Sequence, residues 1–202
     1  MKKFLIPITL LLIVPYISSA QQTETLISGS VHHGGFGALM HGVTSVNGEA
    51  AYLRGTRAAW SITFREGHTL NLGLGGYRTS SGFDAVNWQL NDIEAPELRM
   101  NYGGFEIEYI NKSYKLVHYG FQTTIGGGDV RYRGRDLNFD KTSDDFFTVQ
   151  PGANIHLNVT SWFRLSGGVL YRFASGVNLQ GTGNSDLSGF SAVVALRFGW
   201  FN

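Results

Sequence analysis

Polar and apolar residues alternate in a series of short segments between residues 34 and 201, and the last segment, Phe190 to Phe201, shows the pattern clearly. Successive side chains of a β-strand point to opposite faces of the sheet. One face of this segment carries Phe190, Ala192, Val194, Leu196, Phe198 and Trp200. The other face carries Ser191, Ala195, Arg197 and Gly199. A strand built in this way has one face suited to lipid and one face suited to water.

The first twenty residues have the pattern of an export signal. Lys2 and Lys3 give a positive start, an apolar run follows from Phe4 to Ile13, and Ser18-Ser19-Ala20 offers the small residues that signal peptidase requires. The apolar run is too short for a transmembrane helix, which needs about 20 residues. We therefore expect a cleaved signal peptide and a mature chain that begins at Gln21.

The chain contains no cysteine. This excludes disulfides and also the lipid-bearing cysteine of a bacterial lipoprotein. A membrane barrel and a soluble periplasmic protein remain as the two classes compatible with an exported chain.

Composition argues against a nucleic-acid partner and favours a small barrel. Without Lys2 and Lys3, 14 of the 16 lysines and arginines remain against 15 acidic residues, and there is no basic run. The 27 glycines allow tight strand curvature, and the 13% of aromatic residues suit girdles at membrane interfaces. We expect a signal peptide over 1–20, an N-terminal periplasmic segment over 21–33 and a barrel domain over 34–202.

The alternation predicts eight strands, at 35–45, 49–64, 68–78, 99–110, 115–126, 144–159, 162–175 and 187–201. Every second connection is short, whereas those around 79–98, 127–143 and 176–186 are long and polar. Short turns that alternate with long loops, together with an even strand count, are typical of outer-membrane barrels. The sequence therefore predicts an all-β fold, an eight-stranded antiparallel up-and-down transmembrane β-barrel. On its last strand, the residues expected to face lipid are Phe190, Val194, Leu196, Phe198 and Trp200.

Pro151 lies inside the sixth predicted strand. Proline removes one donor from the hydrogen-bond ladder, and a closed barrel has no edge strand to accommodate it. We expect a bulge or an irregular rim at this position.

With these strands and the closing aromatic segment, the chain resembles the small eight-stranded outer-membrane barrels typified by outer-membrane proteins A and X. The closing segment is similar to the C-terminal signal read by the barrel-assembly machinery, although Phe201 and Asn202 follow the in-phase aromatic Trp200. Stretches such as Gly34-Gly-Phe-Gly37 and Gln150-Pro-Gly-Ala-Asn154 are also similar to barrels from Bacteroidota. The resemblance implies an outer-membrane monomer whose partners are membrane lipids, lipopolysaccharide included, and the assembly machinery.

Charged residues recur on the faces assigned to the barrel interior. The set at similar depth comprises Glu106, Glu108, His118, His156, Arg164 and Arg197, and Arg57 and Arg172 lie higher. The interior of an eight-stranded barrel is just wide enough to be filled by side chains. Opposite charges there should pair, because pairing offsets their desolvation. We predict an ion-pair network that plugs the lumen, with a gated ion or proton path as the alternative.

No convincing catalytic grouping is present. None of the six histidines is followed two positions later by serine, the pattern of the lipid A deacylases among such barrels. A palmitoyltransferase-like set can be assembled from residues that are common in loops, namely His41, Asp84 and Ser80 or Ser81. His32 and His33 form a solvated N-terminal segment without the further ligands of a metal site. We predict no enzymatic activity, no metal and no cofactor.

The sequence therefore favours a structural or surface-interaction role. A narrow channel and an outer-membrane lipid-modifying enzyme are the alternative functions. A soluble periplasmic lipid-binding barrel is the alternative fold, and it would need its apolar faces turned inward. The loop 129–141 holds Arg131, Arg133, Arg135 and Lys141 beside three aspartates. That composition fits solvated mixed charge or contact with lipopolysaccharide phosphates.

Overall fold

The computed structural model describes residues 30–64, 67–79, 83–84, 97–133, 142–179 and 181–201, with only the backbone at 83–84 and 133. The predicted signal peptide and residues 21–29 of the predicted N-terminal segment lie outside this set, as do Ser80, Ser81, Arg135 and Lys141. A four-residue helix, α1 (Asn184–Leu187), is present. Within the described residues, no helix has the length and apolar character needed to cross a membrane.

Eight long strands form a closed antiparallel barrel. They are β1 (His32–Val46), β2 (Glu49–Phe64), β3 (His68–Thr79), β5 (Glu97–Asn111), β6 (Val117–Arg133), β7 (Ser143–Asn158), β8 (Phe163–Ser175) and β9 (Gly189–Trp200). Each pairs with its neighbours along the chain, and β9 pairs with β1 to close the sheet. The two-residue strand β4 (Phe83–Asp84) pairs with the start of β5. The predicted fold class is confirmed.

The register fixes the width of the barrel. The paired residues starting at Gly34 run round the wall through Ser61, Asn71, Glu108, Gln122, Gly152, Leu170 and Ser191. The path then returns to β1 at Thr44, ten residues beyond its start. For eight strands, this stagger corresponds to a strand tilt of about 40° and a radius of about 8 Å. The interior therefore has room for side chains from opposite walls to meet.

The two ends of the barrel differ in their connections. Strand β2 ends and β3 begins at one end of the barrel, which also holds the turns 112–116 and 159–162 and which we call the tight-turn end. The other end, the long-loop end, is where β3 and β6 end and β5 and β7 begin, and it also holds residues 47–48, 176–179 and 181–188. Its one short connection is Asn47-Gly48, where both residues have positive φ, 58° and 79°. These angles are those of a type I′ turn, which matches the right-handed twist of the flanking strands.

The buried side chains of the interior form two layers. Toward the long-loop end lies an apolar layer that includes Met40, Leu53, Met100, Phe146 and Leu170. The segment that leads into β9 folds onto this layer, where it buries Leu179 and Leu187. Toward the tight-turn end the buried side chains are mostly polar or charged. Sequence alternation alone did not distinguish these layers, because both use inward positions of the same strands.

The outer wall is largely apolar. On β9, the outward side chains are Phe190, Val194, Leu196, Phe198 and Trp200, of which Phe190 and Trp200 are 69% and 75% exposed. Leu74, Ile155 and Val169 are also more than half exposed on other strands. Large apolar side chains therefore form a belt around the barrel.

Several predicted boundaries were wrong. Strand β1 begins at His32 rather than residue 35, so His32 and His33 belong to the sheet, and His33 stacks on Trp60 with ring centroids 5.3 Å apart. Strand β6 continues to Arg133 rather than ending at residue 126. Gly127 and Gly128 were assigned to the connection 127–143, yet they pair with both neighbouring strands. The sheet on this side is taller than predicted, and Arg131 lies on a strand.

Pro151 interrupts the ladder without a bulge. Between β7 and β8, the pairing stops after Val149↔Phe173 and resumes at Gly152↔Leu170 in the same register. On the other side, Pro151 remains paired with Thr123 of β6. The expected bulge is therefore absent, since the chain tolerates the missing donor by a local gap.

We predict that Gly48→Ala lowers the free energy of unfolding by roughly 1 kcal/mol, because a β-carbon is unfavourable at positive φ. The measurement is reversible urea unfolding of the barrel in lipid vesicles. The matched control is Gly37→Ala, because a β-carbon at Gly37 meets no atom within 4 Å. Equal effects at both positions would show that the turn does not depend on this conformation.

Candidate functional site: the buried charge cluster

The polar layer centres on two carboxylates and two guanidinium groups that come from three strands. Glu106 and Glu108 are successive inward residues of β5, Arg57 comes from β2 and Arg197 from β9. All four are at most 4% exposed. We call these four residues the buried charge cluster. Its formal charges cancel, as expected for ionised groups removed from water.

Glu108 and Arg197 form an ion pair across the full width of the barrel. Strands β5 and β9 are four strands apart in either direction round the wall, so their inward side chains approach from opposite sides. The guanidinium donates from NH1 to Oε2 at 2.9 Å and from NH2 to Oε1 at 2.6 Å. This bidentate geometry is the strongest arrangement available to such a pair. The lumen is therefore bridged at this depth.

Glu106 pairs with Arg57 instead of Arg164. The Arg57 Nε donates to Oε2 at 2.5 Å, Thr124 donates to Oε1 at 3.1 Å, and the hydroxyl of Tyr77 also donates to Oε1. Strand β3 lies between Arg57 and Glu106, and its inward residue there is Gly75. A β-carbon at Gly75 would collide with Glu106 Oε1. The glycine thus leaves the space through which the ion pair forms.

Amide side chains connect the two ion pairs. Gln122 Oε1 accepts from Arg57 NH1 at 2.8 Å and from Asn154 Nδ2 at 2.7 Å. Asn154 Nδ2 also donates to Glu108 Oε1 at 3.4 Å, and Asn71 donates to Glu108 Oε2 at 2.8 Å. Hydrogen bonds to the remaining lone pairs and protons are what makes a buried ion pair tolerable. The cluster is therefore one hydrogen-bonded unit rather than two separate pairs.

The two predicted histidines stack beside the cluster. His118 and His156 have ring centroids 5.1 Å apart. His156 Nε2 lies 3.7 Å from Glu108 Oε1, and His156 Nδ1 forms a 2.7 Å hydrogen bond with Ser166 Oγ. His118 Nδ1 forms a 2.9 Å hydrogen bond with the carbonyl of Lys115. The histidines therefore extend the cluster toward the tight-turn end.

Arg164 was predicted in the same set, but its contacts are elsewhere. Its Nε donates to Asn158 Oδ1 at 2.7 Å and its NH2 to the carbonyl of Ser113 at 3.3 Å. Its guanidinium also lies 4.3 Å from the centroid of the Phe201 ring. Arg164 thus ties the turn 112–116 to the end of the chain. It forms no hydrogen bond or ion pair with Glu106 or Glu108 among the described residues.

Arg172 binds the segment that covers the apolar layer. Its guanidinium donates to the carbonyl of Leu187 at 2.6 Å, to Thr44 Oγ1 at 3.0 Å and to the carbonyl of Ser45 at 3.0 Å. It also lies 5.3 Å from the centroid of the Tyr102 ring on the opposite side of the lumen. Alternation in the sequence placed Arg172 inside the barrel. It carried no signal for carbonyl partners from a loop.

The site offers little for chemistry on a substrate. Ser166 forms a hydrogen bond with His156, and His156 lies next to Glu108, which is the order of contacts in a triad of nucleophile, base and acid. Each of the three side chains, however, is at most 4% exposed. The carboxylate is also engaged by Arg197. Among the described residues, no group of three or more histidine, cysteine or carboxylate side chains is arranged to hold a metal ion.

The comparisons with known proteins bear on the fold. No protein-family model matches the chain, and no curated protein matches it. Among solved structures, Neisserial surface protein A matches with a TM-score of 0.54 and 11% identity, covering 84% of this chain and 99% of that chain. Ail, the attachment invasion locus protein of Yersinia pestis, matches with a TM-score of 0.48 and 14% identity, covering 82% and 98%. The first match shows that the chain has the fold of the small eight-stranded outer-membrane barrels.

We predict that Glu108→Gln destabilises the barrel by about 3 to 5 kcal/mol, because it leaves Arg197 buried without a counter-charge. The double variant Glu108→Gln with Arg197→Met should recover part of this loss. Urea unfolding of the four proteins gives the coupling energy between the two residues.

Glu106 and Arg164 provide the matched control pair, because they have the same chemistry and no mutual contact. The losses caused by Glu106→Gln and Arg164→Met should add to within about 0.5 kcal/mol. Coupling of the control pair as strong as that between Glu108 and Arg197 would contradict the arrangement described here.

Proposed function

We propose that the protein is an integral β-barrel of the bacterial outer membrane, exported through a signal peptide over residues 1–20. The apolar belt on the outer wall supports this location, since an exposed apolar surface of this extent is costly in water. The reversed alternative, a soluble lipid carrier, would need an apolar cavity. The interior instead carries the buried charge cluster.

We further propose that the lumen is closed and that the protein has a structural or surface-interaction role rather than a transport role. The Glu108–Arg197 ion pair that joins opposite walls carries this proposal. The apolar layer adds a second obstruction toward the long-loop end, where Met100 and Leu170 are at most 2% exposed. An ion would have to pass both layers.

An enzymatic role is not part of the proposal. The Ser166, His156 and Glu108 contacts lie within the filled interior, so a substrate would have no access to the serine without opening the barrel. The proposal likewise requires no cofactor and no metal. Membrane lipids are the expected partners in place, and the barrel-assembly machinery is the expected partner during insertion.

We predict that Val169→Arg destabilises the barrel in lipid vesicles by roughly 2 to 4 kcal/mol, because it places a charge near the middle of the bilayer. Val169 is 59% exposed on the outward face of β8. Ser175→Arg is the matched control, on the same face at the end of the same strand, where the cost should be about 0 to 1 kcal/mol. Equal tolerance of the two substitutions would contradict insertion of this face into lipid.

We predict that the wild-type protein shows no steady conductance in planar bilayers. The double variant Glu108→Gln with Arg197→Met should remain closed as well, because the apolar layer is unchanged. Stable currents through the wild type would overturn the closed-lumen proposal and favour the channel. Currents through the double variant alone would assign the barrier to the charge cluster and remove the apolar layer from the argument.

A further inference from the structure

Four arginines point outward from neighbouring strands near the long-loop end. They are Arg54 on β2, Arg78 on β3, Arg99 on β5 and Arg131 on β6. Arg54 is directly opposite Arg78, and Arg99 is directly opposite Arg131. Like charges in directly opposed positions destabilise a sheet. We call these four residues the arginine patch.

Among the residues that the structure describes, the patch has more positive charge than its neighbours neutralise. Arg131 pairs with Asp129 at 2.6 Å, and Arg99 pairs with Glu97 at 3.3 Å. Arg78 donates from Nε to the neutral amide of Asn101 at 2.7 Å. Arg54 forms no hydrogen bond or ion pair with the described part of the chain. The surplus charge therefore lies at the opposed pair Arg54 and Arg78.

Three of the arginines converge on one space. Arg78, Arg99 and Arg131 line a pocket of about 280 Å³ together with Asn101. Several guanidinium groups around one small pocket form a site suited to an anion with several oxygens, because each can donate two parallel hydrogen bonds. Phosphate is the common anion of that shape.

A row that consists mostly of glycine lies next to the patch. Its paired outward residues are Thr56, Gly76, Gly103 and Gly127, one outward step from Arg54 and Arg78 toward the tight-turn end and two steps from Arg99 and Arg131, with Asn101 and Asp129 between. The three glycines line an open groove of about 880 Å³ together with Arg54, Arg78, Asp129 and Arg131. A β-carbon at Gly76 would meet nothing within 4 Å, so the groove there is open space.

The next outward row toward the tight-turn end is apolar. It consists of the paired residues Ala58, Leu74, Phe105 and Ile125. Leu74 is 66% exposed, and Phe105 and Ile125 are each more than 40% exposed. Along one strip of the wall, the surface thus changes from cationic to groove to apolar, which is the order of phosphate, headgroup and acyl chain in a lipid.

We infer that this strip binds a phosphorylated glycolipid from the membrane leaflet on the long-loop side. The arginine patch holds phosphates, the glycine row receives the sugar rings, and the apolar row contacts the acyl chains. Two opposed arginine pairs fit a headgroup with two phosphates. The inference rests on the proposed membrane insertion, which brings this wall into contact with lipid, and Asp145, opposite Asp129, limits the strip at β7.

The test uses the full mature chain, folded into phosphatidylcholine vesicles with or without diphosphoryl lipid A. After transfer to detergent, native mass spectrometry counts the lipid A molecules that remain bound. The wild type should retain lipid A, and Arg54→Gln with Arg78→Gln should weaken retention by roughly tenfold or more. Lys115→Gln, which removes an exposed positive charge at the tight-turn end, should retain lipid A as the wild type does.

A second pair of variants tests the groove without changing charge. Gly76→Leu fills the open space beside the arginine patch and should reduce retention. Gly37→Leu is its matched control, because Gly37 also points outward on β1 and a β-carbon there meets nothing within 4 Å. Equal retention by both leucine variants would remove the glycine row from the site.

The outcomes separate this inference from the proposed function. Failure of the wild type to insert into phosphatidylcholine vesicles, read from the change in gel mobility on heating, would overturn the membrane proposal. Insertion without lipid A retention, or equal retention by the wild type and the arginine variant, would overturn the lipid site alone. Displacement of lipid A by excess inorganic phosphate would identify a free-anion site and would also overturn it.

Discussion

The stagger of ten residues round eight strands is the constraint on which the interior depends. It gives a radius of about 8 Å, which leaves room for side chains from opposite walls to touch and little else. A charge pointing into such a space is removed from water and must find a partner there. The ion pair between Glu108 and Arg197, and that between Glu106 and Arg57, follow from this geometry.

The interior satisfies the constraint in two ways at two depths. Toward the tight-turn end it uses charge pairs joined by Gln122 and Asn154, and toward the long-loop end it uses packing of side chains such as Leu53 and Leu170. Arg172 combines the two kinds of interaction. It lies among the apolar residues and donates hydrogen bonds to the carbonyl of Leu187, in the segment that leads into β9, and to the carbonyl of Ser45. Closure of the barrel at this end therefore depends on a loop as well as on the strands.

The residues on the outer wall do not have to pack against one another across the lumen, so their pattern depends on the surroundings of the barrel. Most of the wall is apolar, as the belt of β9 shows, but the strip from β2 to β6 changes from arginine to glycine to apolar side chains. Glycine in an outward row does not help to fill the barrel. Its place beside Arg54 and Arg78 is what the lipid site that we infer requires, because a headgroup there would lie against the backbone.

Sequence alternation determined the fold class, the strand count and, on the strands that alternate clearly, the face on which a residue lies, because a strand repeats every two residues and one-sided burial is visible in that period. It assigned Glu106, Glu108 and Arg197 to the interior, and Phe190 and Trp200 to the outside. The alternation could not show which charged side chains pair with each other. Arg57 contacts Glu106 only because of the register of three strands and the space that Gly75 leaves. The alternation also did not show that β6 continues to Arg133, because the glycines from Gly126 to Gly128 lack the side chains that reveal alternation. The sequence by itself thus determined the wall of the barrel, and only the tertiary structure decided which side chains meet across it, because closure brings together residues that no local pattern relates.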